Sequence, residues 1–117
     1  MQVTTPTPVV LQLRRQGGSL IQSRVDFWSA TPTGWQLAGS DIFQNVTKPI
    51  EQQQAKLAKG QYTVVFSCRV EESINGTYGF EFDVGSTAVY ADKGTVNTTP
   101  DPHDSKVYKD QFILNVV

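Results

Sequence analysis

Histidine occurs once in the 117 residues, at position 103, inside the run Asp101-Pro102-His103-Asp104. An imidazole between two carboxylates offers mixed nitrogen and oxygen donors to a divalent metal, with Asp101, His103 and Asp104 as the candidate ligands. Three donors within four loop residues, with no helical spacing to fan them out, suit a solvated polar loop better than a metal centre. A catalytic histidine needs a nucleophile and an orienting acid, and no G-x-S-x-G or comparable signature supplies them. Glu81 and Asp83 stand two residues apart, about 7 Å along a strand. That spacing is the ordinary one for the wet face of a sheet. Gly17-Gly18 has neither a following lysine nor a helix start, so it is no phosphate cradle. The expectation is a non-enzyme without a cofactor.

The aromatic residues carry the better lead. Trp28 falls on the polar face of its strand together with Arg24 and Asp26, and Trp35 follows the turn Thr31-Pro32-Thr33-Gly34. A partly exposed indole anchors a partner chain or stacks on a sugar ring. Trp28, Trp35, Arg24 and Asp26 are therefore the candidate contact residues.

Charged residues make up 18% of the chain and the formal net charge is −1. Lys and Arg are scattered, which argues against capture of nucleic acid or anionic lipid. The lone Cys68 excludes an internal disulfide, and its place on the apolar face of a strand makes it a packing residue. The opening MQVTTPTPVV has no basic segment followed by an apolar core, and no apolar run reaches the length of a membrane span. A cytoplasmic chain or the mature part of a secreted one fits these facts. Asn45, Asn75 and Asn97 each open an N-x-T triplet, as Thr-rich loops readily produce.

The elements that must position these residues are strands. Leu57–Val70 is the clearest: after Lys59-Gly60, Tyr62, Val64, Phe66, Cys68 and Val70 alternate with Gln61, Thr63, Val65, Ser67 and Arg69. Period-two alternation puts the two sets on opposite faces. Asn75-Gly76 predicts a tight turn, making residues 62–84 a hairpin in which Tyr78, Phe80, Phe82 and Val84 face the core. Further strands are expected at residues 9–14, 19–29, 35–37, 41–46, 87–91, 95–98 and 107–117, with residues 92–94 as a turn. Residues 48–57 suit a short helix or an extended polar crossover. Eight or nine short strands, punctuated every eight to twelve residues, imply an all-β, antiparallel two-sheet β-sandwich with at most one short helix. Residues 1–7 are expected as a flexible arm before a single domain over 8–117.

The segment Leu57-Ala-Lys-Gly60-Gln-Tyr62-Thr-Val-Val-Phe66 resembles the L-x-x-G-x-Y-T-V strand entry of prealbumin-like and immunoglobulin-like bacterial modules. Ile21–Trp28 is similar to their early strand. The resemblance implies a binding, spacer or assembly role and transfers no site; a jelly-roll remains open as the sandwich type. Thr31-Pro32-Thr33-Gly34 is similar to a loop of small sandwich inhibitors of papain-like proteases, displaced by one residue and without their Gly-rich second loop. The resulting expectation is a non-catalytic binding or assembly module, working through a protein partner or self-association. Carbohydrate binding through the tryptophans is the alternative, and a small enzyme or metal protein using the 99–105 loop is a second.

Overall fold

The five apolar positions that alternate through residues 62–70 are all buried, and residues 9–13, 21–27 and 78–84 repeat the pattern. The computed structural model describes residues 1–17, 20–71, 76–96 and 105–117. These form nine strands and no helix: β1 (Gln2–Thr5), β2 (Val9–Gly17), β3 (Leu20–Thr31), β4 (Gly34–Phe43), β5 (Ile50–Ala55), β6 (Gly60–Glu71), β7 (Thr77–Val84), β8 (Thr87–Thr95) and β9 (Ser105–Val116). They make a five-stranded sheet, order β1-β9-β6-β3-β4, and a four-stranded sheet, order β5-β2-β7-β8. All pairings are antiparallel except that of β1 with β9. The result is a β-sandwich.

Aromatic rings fill the space between the sheets. Phe66 on β6 is fully buried and stacks on Phe82 of β7 at 4.5 Å and on Tyr90 of β8 at 5.1 Å. Phe43 of β4 meets the edge of Phe82 from the other side. These contacts join the two sheets, so deleting the Phe66 ring would remove packing from both at once. Cys68 lies in the same layer at 1% exposure, and burial pushes its thiol up to about 12. It is a packing residue, as its strand position implies.

Polar contacts close one lateral side of the sandwich. Arg15, buried at the end of β2, donates to the Ile21 carbonyl at 2.8 Å and the Lys48 carbonyl at 3.0 Å. Its remaining nitrogen meets the Glu51 carboxylate at 2.8 Å. A buried guanidinium with three acceptors is satisfied, whereas removing one partner strands the other in a low dielectric. Gln53, also on β5, donates through its side-chain amide to the Ile42 carbonyl of β4. The end of β2 depends on Gly17: its φ is +91°, and a Cβ there would lie 2.5 Å from the Thr77 carbonyl oxygen. Only glycine meets both demands.

Several expectations are corrected. Residues 62–84 are not a hairpin: β6 pairs with β3 and β9, and β7 with β2 and β8. The two aromatic faces meet across the core instead of side by side. Of the two readings of residues 48–57, the extended one holds and the helix does not: residues 50–55 form strand β5. Its Glu51, Gln53 and Ala55 point inward at alternate positions, where the first two find polar partners. Residues 2–5, expected in a loose arm, pair with Ile113–Val116 and bury Val3 and Thr5. Residues 35–37 and 41–43 belong to one strand, β4. The Gly39-Ser40 break is absorbed where the β3–β4 register shifts at Phe27/Trp28. Likewise β8 runs unbroken through residues 92–94.

Candidate functional site

Side chains alternate across each strand, so the sheet register decides which of them meet on the outer face. On the five-stranded sheet, the pairings align Leu37, Trp28, Thr63 and Ile113 in one row across β4, β3, β6 and β9. The next row holds Ser40, Asp26, Val65 and Gln111, and the one beyond it Ile42, Arg24, Ser67 and Lys109. Trp35, opposite Ala30, extends the apolar end. Beyond Trp28 the pairing of β3 with β6 stops while its pairing with β4 continues to Thr31–Gly34. The tip of the β3–β4 hairpin thus projects past the sheet, and residues 32–38 are exposed on both of its sides.

Trp35 is 62% exposed and Trp28 half-buried. Together with Thr63, Val65, Gln111 and Ile113 they line a shallow concavity of about 420 Å³ that contains no charged side chain. Thr63, Gln111 and the two indole N–H groups supply the polar atoms among its side chains. Asp26 and Arg24 sit one and two rows from Trp28 and are paired with each other at 2.8 Å, and Asp26 also accepts the Ser40 hydroxyl at 2.5 Å. Arg69 pairs with Glu71 at 3.0 Å farther along β6. The charges of this face are therefore largely neutralised within it.

The fold brings all four sequence candidates, Trp28, Trp35, Arg24 and Asp26, onto one sheet face. It adds Leu37, Val65 and Ile113 to the tryptophan end, and Leu20, Ile42 and Val107 to the opposite end. Among the described residues, eight large hydrophobic side chains are exposed, and five of them (Leu20, Trp35, Leu37, Ile42 and Val107) lie on this face. Alternation in β6 and β9 already separates Val65 and Ile113 from the core set. Their meeting with Trp28 depends on the register of strands far apart in sequence.

Two other clefts, of about 320 and 290 Å³, are more polar. At the β8–β9 side, Tyr78 donates to Asp92 at 2.9 Å beneath Lys106, whose ammonium lies 5.6 Å from the Tyr78 ring. Burial, then the Asp92 hydrogen bond and charge, push the Tyr78 phenol up to about 12. On the four-stranded sheet, Arg14 bridges Glu81 at 2.6 Å and Asp83 at 2.8 Å, so these two carboxylates share one cation. No group of three metal-ligating side chains occurs among the described residues. Asp101, His103 and Asp104 lie outside them, as does Asn75. No protein-family model, curated protein or solved structure matches the chain.

Proposed function

We propose that this chain is a non-catalytic binding and assembly module that makes protein–protein contacts through the outer face of its five-stranded sheet. The observation that carries the reading is the gathering of Leu20, Trp35, Leu37, Ile42 and Val107 on that face. Scattered exposed hydrophobics are ordinary, whereas a set collected on one flat face marks a contact surface. Its composition also fits: aromatic anchors stand beside a short polar band whose charges are already paired. The immunoglobulin-like and prealbumin-like resemblance is compatible with such a role and adds no site.

A photo-reactive amino acid placed at Val65, and separately at Gln12 on the opposite sheet, tests the reading. In extract of the source cells, the Val65 position is expected to give protein adducts, its own chain included, and the Gln12 position none. Equal labelling from both, or none from Val65, overturns it.

The carbohydrate alternative draws on one observation, the charge-free concavity between Trp28 and Trp35 with Thr63 and Gln111 at its wall. An indole takes the apolar side of a sugar ring, and an amide can both donate to and accept from neighbouring hydroxyls. Titration of neutral oligosaccharides against tryptophan emission separates the two readings. A saturable shift abolished by Trp35→Ala favours sugar, and an unchanged spectrum removes it.

A further inference from the structure

We infer that the partner for this face is a second copy of the chain, packed sheet on sheet about a two-fold axis. The inference rests on the reading of the face as a contact surface and specifies its occupant. Three features lead to it.

The first is size. The rows cross the four strands β4, β3, β6 and β9, each about 4.8 Å wide, over up to about 33 Å of strand, an area of about 630 Å². A standard interface uses about 800 Å² from each partner. The face is therefore of the right order to be covered by one flat surface of equal extent, and a second sheet packing at about 10 Å is such a surface.

The second is charge. A partner chosen by electrostatics needs a net charge to answer. Here Arg24 is paired with Asp26 and Arg69 with Glu71, and the whole chain carries only −1. Two copies meet with little repulsion.

The third is self-complementarity. A two-fold contact brings residue i against j and j against i. Arg24 and Asp26 occupy adjacent rows on β3, the middle strand of the β6–β3–β4 part of the face. An axis running across the strands between those two rows sets Arg24 of each copy against Asp26 of the other. The same axis sets the Trp28 row against the Gln22 row, so that Ile113 of one copy meets Val107 of the other. Farther out on β3, Leu20 of one copy meets Ala30 of the other. Lys109, the remaining charge in the central rows, falls opposite the Gln111 amide.

Edge-to-edge pairing through β4 is disfavoured by the structure. The register shift opposite Phe27/Trp28 interrupts that edge, and the Gln53 side chain already occupies the Ile42 carbonyl. Bulges and such covers are the usual means of blunting an edge strand. The β4 edge, which borders this face, is thus blunted.

Sedimentation equilibrium of the full chain over a range of concentrations tests the inference. The wild type is expected at twice the 12.9 kDa chain mass. Val65→Glu and Arg24→Asp are each expected to weaken the dimer about tenfold or more, with the folded circular-dichroism spectrum retained. Gln12→Glu, on the other sheet, should leave it unchanged. The double exchange Arg24→Asp with Asp26→Arg re-creates the opposition across the axis and should recover most of the affinity. A single-chain mass at every concentration overturns the inference. So does a dimer indifferent to both single substitutions, or one that the double exchange fails to restore. A monomer that still gives adducts from Val65, and only with other proteins, overturns the second copy while leaving the contact surface standing.

Discussion

The two outer faces of the sandwich are built by the same rule and furnished differently. Both consist of the side chains that alternate away from a common core. On the four-stranded sheet these include Gln12, Gln16, Gln52 and Gln54, with Arg14 held between Glu81 and Asp83. Ile50 is its one exposed large hydrophobic among the described residues. On the five-stranded sheet the same positions hold Trp28, Trp35, Leu37, Ile42, Val65, Val107 and Ile113. A fold needs only one wet face to be soluble and needs no apolar residues on the other. In the proposed reading the surplus on the five-stranded sheet serves contact, while the core and the Arg15 hydrogen bonds serve folding.

That division can be broken in order of effect. Phe66→Ala removes a ring that touches both sheets and should cost about 3–5 kcal/mol of stability by urea denaturation. A smaller loss would mean the sheets are not joined through this ring. Arg15→Met leaves Glu51 buried without its cation and is expected to cost about 3 kcal/mol, with Arg15→Met/Glu51→Met recovering part of it. Neither change alters the chemistry of either outer face.

Alkali probes the shared interior without mutation. Cys68 is held up to about 12 in the folded chain, against 9.0 ordinarily, by burial. A raised folded pKa means that the unfolded chain ionises first, so stability is intact below about pH 9 and declines above it. Between pH 7 and pH 10.5 the Cys68 contribution alone is about 2 kcal/mol, with Tyr78 acting in the same direction. Cys68→Ser should flatten this slope, and an unchanged slope would place the thiol outside the core.

The faces themselves give the smallest effects on stability and the sharpest contrast between them. Arg14→Ala leaves Glu81 and Asp83 without their cation and should cost about 1 kcal/mol, with no change in association. Trp35→Ala should move stability by no more than about 0.5 kcal/mol, yet weaken association. A result that interchanges the two would reverse the assignment of the faces.

Much of this was legible in the residues. Alternation alone separates Tyr62, Val64, Phe66 and Cys68 from Thr63, Val65 and Ser67, and puts Trp28 with Arg24 and Asp26. What it cannot give is the neighbour of each strand. Two strands with aromatic faces, β6 and β7, can bury them side by side in one sheet or across from each other in two. The local Asn75-Gly76 signal favoured the first, and packing of Phe66 on Phe82 realises the second. The Gln52–Gln54 run has the propensity of a helix and lies in a strand because Gln53 and Glu51 find acceptors and donors between the sheets. Trp35 joins the Trp28 end only through the irregularity at Phe27/Trp28. A bulge shifts the face of every residue after it and leaves little trace in composition.

Hydroxyl-radical footprinting of the pure chain, dilute and concentrated, tests most directly which face is covered. Labelling of Trp35, Leu37 and Ile42 is expected to fall as concentration rises, while that of Ile50 stays constant. Constant labelling of all four, or a fall confined to Ile50, would contradict the account.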